Sequence, residues 1–128
     1  MTPELSNLSS FPAMDSATVE QTRQILPDRF SLIVQFYLKD TEQAINEINT
    51  AVTTKNIKAV NANAHKIKSS ANQVGALKVG EAAKLLEHKA KATEAENPDD
   101  NYLSQIRNYA DALSSAFAES AVLYKKFL

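Results

Sequence analysis

Between Asp28 and Asn97 the chain runs for seventy residues without a proline, and over its whole length of 128 residues it has two glycines. Proline breaks a helix by removing an amide donor and clashing with the preceding turn, so its absence permits long uninterrupted helices. The shortage of glycine and proline also leaves too few turn signals for a sandwich or barrel, which needs one about every 8 to 12 residues. Within the run, core-forming residues recur at intervals of three and four. One stripe is Phe30, Ile33, Val34, Tyr37, Thr41, Ala44, Ile45 and Ile48; the next is Ile57, Val60, Ala64, Ile67, Ala71 and Val74; the third is Val79, Ala83, Leu86 and Ala90. This spacing turns one face of each segment towards a common core.

Punctuation between the stripes sets the expected boundaries. Pro27 can serve as the first residue of a helix reaching Val52. Asn56 suits an N-cap, because its side-chain oxygen can accept from first-turn amides. Gly75 can take the left-handed conformation that closes a helix. A further helix is predicted over Leu77 to Thr93, followed by an acidic loop. Asn97 and Pro98 are the expected cap and first residue of a last helix to Phe127, with Asp99 and Asp100 at its positive dipole end. Leu103, Ile106, Ala110, Leu113, Phe117, Ser120 and Tyr124 form its seam. Ahead of these, Asp15 to Leu26 reads as a short accessory helix, and residues 1–14, rich in Ser, Asn and Pro, as a flexible tail. The expected fold is all-α: an antiparallel up-down-up-down four-helix bundle over residues 15–128 with a short accessory N-terminal helix.

Composition excludes several functions. With no cysteine, disulfide frameworks and thiol chemistry are impossible. No secretory signal and no apolar run of membrane-spanning length is visible, so a cytoplasmic protein is expected, and nothing on the helices calls for a dimer, so a monomer is expected. The formal charge of −1 conceals an asymmetry: between Lys55 and Lys91 eight lysines face only Glu81 and Glu87, a local charge of +6 against −7 elsewhere. That basic segment contains neither arginine nor an aromatic residue, so base readers and stacking platforms for nucleic acid are missing. A metal-binding bundle needs Glu-x-x-His pairs, and neither His65 nor His88 has a glutamate three residues before it. Asp28, Asp40, Glu42 and His88 read as solvated surface groups.

His65 follows the seam residue Ala64 and lies about 100° around the helix from it, which exposes its ring. Asn61, Lys68, Ser69 and Asn72 share its face and Lys66 flanks it. A hydrated imidazole among lysines keeps a nucleophilic nitrogen, with cations close to any anion attached there.

The run Ala64-His65-Lys66-Ile67-Lys68-Ser69-Ser70-Ala71-Asn72-Gln73-Val74-Gly75-Ala76 resembles the signature of histidine-containing phosphotransfer domains, approximately A-H-x-L-K-G-S-x-x-x-hydrophobic-G-A. The resemblance continues through Val79, Gly80, Ala83, Leu86 and Glu87, which occupy the family's apolar, small, small, leucine and glutamate places. It implies that His65 is the phosphorylated residue, that Lys68 stabilises the phosphoryl group and that Gly75 closes the reactive helix. Ser69 departs from the glycine usual in the family and adds a side chain to the contact surface. The implied activity is that of a carrier without kinase or ATP site. A phosphoryl group passes from a receiver-domain aspartate of a hybrid sensor histidine kinase to His65, then to the receiver of a response regulator, in a bacterial two-component system. No intrinsic cofactor and no metal is expected, magnesium being held by the partner receiver. Lys66 is assigned a steering role, and Asn61, Ser69 and Asn72 a place in the docking surface. Leu32 and Phe36, four residues apart, can supply apolar docking contact or can lie under the accessory helix. The alternative reading is a bundle that binds a receiver or kinase domain without being phosphorylated.

Overall fold

The computed structural model describes residues 3–91 and 98–128. In chain order they form α1 (Pro3–Ser6), a 3-10 turn (Asn7–Ser10), α2 (Ser16–Ile25), α3 (Phe30–Thr53), α4 (Ile57–Val74), α5 (Leu77–Lys91), α6 (Asp100–Tyr124) and a final 3-10 turn (Lys125–Phe127). The pairs α3–α4, α4–α5, α5–α6 and α3–α6 pack against each other, so the four long helices close a ring. The three- and two-residue links of α3–α4 and α4–α5 turn those helices antiparallel, α6 packs against both α5 and α3, and the result is the expected up-down-up-down bundle.

The predicted stripes form its core. Val34, Ile48, Val60, Ile67, Val79, Leu86, Ile106, Leu113 and Tyr124 are almost wholly buried. Burial of such side chains contributes about 1.5–3 kcal/mol each, and this drives the helices together. One end is closed by aromatic rings: Phe30 meets Phe127 edge-on at 5.1 Å, and Tyr37 touches both Phe117 and Tyr124. The two buried tyrosines keep their hydroxyls satisfied. Tyr37 shares a 2.8 Å hydrogen bond with Ser120, and Tyr124 donates to the Val74 carbonyl at 2.5 Å, occupying an acceptor at the end of α4.

The turns at the two ends of α4 use related geometry. Lys55 takes φ 61°, and the amide of Asn56 reaches back to the Ala51 carbonyl at 2.8 Å; the Asn56 side chain then accepts from Ala59 N and starts α4. At the other end Gly75 has φ 88°, with Ala76 N bonded to Ala71 O at 2.9 Å and Gly75 N to Asn72 O at 3.3 Å. These are the two bonds of a Schellman closure.

Three expectations of the boundaries are not met. Pro27 does not open α3; it sits in a turn in which Arg29 N bonds Leu26 O at 3.2 Å, and the helix begins at Phe30, the first side chain after Pro27 to reach the core. α6 is capped by Asp99, whose carboxylate accepts from Tyr102 N at 2.8 Å, and starts at Asp100 rather than Pro98. Asn97, the expected cap, and the predicted end of α5 at Thr93 lie outside the described residues. Finally, the segment read as a tail makes two short helical turns, and Leu8 is buried against the core. Its chain continues as a strap around the α4–α5 turn: Asp15 N bonds Gly75 O at 2.7 Å and Lys78 N bonds Pro12 O at 2.9 Å. Among the described residues no helix is long and apolar enough to cross a membrane.

Candidate functional site

α4 carries its core residues Val60, Ala64, Ile67 and Ala71 on one face, which fixes His65 on the other. The His65 side chain is 60% exposed. It is not held by its own helix alone. Its Nδ1 lies 2.5 Å from Oε2 of Glu87, on α5, and the other carboxylate oxygen of Glu87 accepts from Lys68 Nζ at 2.8 Å. Asn61, one turn before His65, donates to the backbone carbonyl of Glu87 at 2.9 Å. His65, Lys68 and Asn61 thus converge on one residue of the neighbouring helix.

The Glu87 side chain is only 12% exposed. Burial alone would raise its carboxyl, but the hydrogen bonds and positive charge of Lys68 and His65 outweigh that and hold it below the ordinary carboxylate range. An ionised carboxylate can only accept, so the proton between Glu87 and His65 resides on Nδ1. In the neutral ring this leaves the lone pair on Nε2, the nitrogen on the far edge of the exposed imidazole.

The remaining predicted residues surround this centre unequally. Ser69 and Asn72 are exposed on α4, and the Asn72 amide lies over Gly80, where a β-carbon would come within 2.0 Å of its Oδ1. Gly80 therefore leaves room for the Asn72 side chain to lie across α5. Lys66 is exposed on the opposite flank, lining a groove of about 370 Å³ between α3 and α4 with Asp40, Glu47 and Asn63. Leu32 and Phe36 are 48% and 55% exposed, so α2 does not cover them. Asp40 and Ser70 line that same groove, which sets the register of α3 against α4 and puts Phe36, one turn before Asp40, towards the Gly75 end. Gly75 itself closes α4 as expected. His88 is exposed. Among the described residues no three His, Cys, Asp or Glu side chains gather as a metal site.

Glu87 is the residue whose role the sequence did not disclose. It stands in the family's glutamate place and is one of two acids in a lysine-rich segment, but its partner is 22 positions away. Only the packing of α4 on α5 shows that its carboxylate bridges His65 and Lys68.

A four-helix bundle displaying one solvent-facing histidine between a lysine and a carboxylate is the architecture of a histidine phosphotransfer module. The Hpt domain family model matches residues 32–116, and the chain belongs to that family. Its members are phosphocarriers, not kinases, which act with receiver domains in two-component signalling. No curated protein sequence matches significantly. Among solved structures, histidine-containing phosphotransfer protein B (HptB) from Pseudomonas aeruginosa PAO1 superposes with a TM-score of 0.79 at 18% identity, over 90% of this chain and 93% of that one. A rice protein described as a histidine-containing phosphotransfer protein superposes with a TM-score of 0.57 at 22% identity, over 96% and 93% of the two chains. At these identities the likeness concerns the fold, which a bacterial and a plant protein share.

Proposed function

We propose that this chain is a phosphorelay intermediate that accepts a phosphoryl group on His65 Nε2 from the receiver aspartate of a sensor kinase and passes it to the receiver aspartate of a response regulator. The observation that carries the reading is the 2.5 Å contact between His65 Nδ1 and Glu87, which presents Nε2 outward as the nucleophile. In the inward step the Nε2 lone pair attacks phosphorus, the P–O bond to aspartate breaks, and the aspartate leaves as a carboxylate. Transfer of this kind needs an in-line nucleophile and stabilisation of the transferred oxygens more than covalent help. Lys68, three residues on from His65, is the cation placed for that, and it has only to swing from Glu87 to the phosphoryl oxygens.

The receiver supplies magnesium and docks on the exposed surface around His65. Leu32 and Phe36 provide apolar contact, Asn61, Ser69 and Asn72 polar contact, and Lys66 long-range attraction for an acidic partner. The carrier acts as a cytoplasmic monomer. Transfer kinetics with a phosphorylated receiver test the assignment of Lys68. Lys68→Ala is expected to slow transfer about tenfold, the low end of a lost charge-assisted hydrogen bond, with helical circular dichroism unchanged. A wild-type rate in that variant removes Lys68 from the mechanism.

A further inference from the structure

Away from His65, the groove between α3 and α4 collects polar groups that the fold leaves without partners. Asp40 and Glu47 of α3 line it, and among the described residues neither makes a hydrogen bond or an ion pair. Lys66 lines it too and pairs with neither of them. Thr41 and Asn63 also belong to the groove wall, although they are only 1% and 7% exposed. Asn63 Nδ2 donates to the Ala59 carbonyl at 2.9 Å, which fixes the orientation of the amide and leaves Oδ1 as its free end. Oδ1 of Asn63 and Oγ1 of Thr41 are both buried with no hydrogen-bond partner among the described residues. A buried polar atom without a partner is destabilising, and folded proteins keep few of them. Helix packing alone does not call for either, since the buried apolar residues Ala44 and Ile67 line the same stretch.

The chemistry of the wall specifies what would fit. Ionised carboxylates and an amide oxygen can only accept, so the matching group is a donor, and two carboxylates make it a cation. An ammonium carries three N–H donors and can satisfy a carboxylate and a neutral oxygen together. Asp40 and Glu47 stand seven residues apart on α3, about 10 Å along the helix axis. That spacing suits one charge at each end of a short chain better than a single compact ion, and Ala44 and Ile67 offer apolar surface to the chain between them. The groove, about 370 Å³, has room for such a molecule. Lys66 is exposed and carries its charge on a long flexible stem, so it can turn to solvent. We propose that the α3–α4 groove binds an aliphatic diamine, one ammonium held by Asp40 and the other by Glu47, with Thr41 Oγ1 and Asn63 Oδ1 accepting from them. The site lies on the flank of α4 away from Glu87 and is independent of the carrier reading.

Putrescine titrated into the full chain tests the site, with backbone amide resonances followed by NMR at about 150 mM salt, where surface charges are screened beyond about 8 Å. The expected result is a set of saturable shifts confined to residues 40–47 and 63–70, the two walls of the groove. Butylamine, which lacks the second charge, should bind about tenfold more weakly, the low end for one lost charge-assisted hydrogen bond. Asp40→Asn and Glu47→Gln should each weaken putrescine about tenfold with helical circular dichroism unchanged. Thr41→Val keeps the shape and removes the unpartnered hydroxyl, so it should weaken putrescine without lowering the melting temperature. A purely structural hydroxyl would show the reverse, a lower melting temperature with binding intact. Magnesium chloride at the same concentration should leave these amides unshifted. Scattered or non-saturating shifts, equal binding of butylamine, wild-type affinity in an Asp40→Asn, Glu47→Gln double variant or in Thr41→Val, or magnesium shifting the same amides overturns the proposal.

Discussion

Replacing Gly75 by alanine perturbs the end of the reactive helix without touching its chemistry. At φ 88° an L side chain is strained, and the left-handed conformation costs about 1–2 kcal/mol for a residue with a β-carbon. Space adds to this. The new β-carbon would lie 3.0 Å from Thr18 Cβ and 3.1 Å from the Asp15 carbonyl oxygen. Asp15 cannot easily retreat, because its own amide is bonded to Gly75 O at 2.7 Å, and overpacking of this kind costs about 1 kcal/mol or more. Alanine recovers about 0.4–1 kcal/mol by restricting the unfolded chain. The balance is a loss of about 2 kcal/mol, which for a domain of this size lowers the melting temperature by about 8 °C. Thermal and urea unfolding followed by circular dichroism measure it. His65 lies ten residues up the helix, about 15 Å away, so its labelling below the transition should persist. Gly75→Asn separates the two contributions, since asparagine tolerates the left-handed conformation but brings the same β-carbon. A Gly75→Ala variant within 0.5 kcal/mol of wild type would refute the reasoning, and so would loss of labelling in a fully folded variant.

Two further outcomes follow from the site. Glu87 is held below its ordinary value of 4.5, so its contribution to stability is fully present above that value and is lost as pH falls through the folded-state value. Stability of Glu87→Gln measured by urea titration should therefore fall less steeply than wild type below pH 4.5, and parallel acid limbs would show that the Lys68–Glu87–His65 contacts stabilise nothing. Serine at both Leu32 and Phe36 should leave stability within about 0.5 kcal/mol of wild type, both side chains being exposed, while weakening receiver binding about tenfold or more in calorimetric titration. Unchanged affinity moves the docking surface elsewhere.

The bundle was legible because its information is local. Helical periodicity, Asn56 and Gly75 each act within one or two turns, and the residues they implicate are buried or capped as read, save Ile33, Leu103 and Phe117, which are half-buried at the edge of the core. The misread boundaries share a different cause: Pro27, Pro98 and Asp99 are all compatible with a helix start, and the choice among them falls to tertiary packing. Phe30 reaches the core where Pro27 cannot, and Asp99 rather than its neighbours aligns with the Tyr102 amide. Leu8 stands with Leu5 and Phe11 in a Ser-, Asn- and Pro-rich run too short for a helical stripe, and its burial depends on packing against α5. In the site, His65 and Lys68 stand three residues apart and were visible together. The link to Glu87 depends on the register of α4 against α5, which brings Asn61 to the Glu87 carbonyl and His65 and Lys68 to its carboxylate. No spacing within one helix encodes that contact.

The most direct test of the central claim is transfer of radiolabelled phosphoryl from a phosphorylated receiver domain to this chain. The account predicts label that is acid-labile and alkali-stable, as a phosphorus–nitrogen bond requires, and none on a correctly folded His65→Gln variant. Label of equal intensity on that variant, or no label on the wild type from any receiver of the source organism, would contradict it.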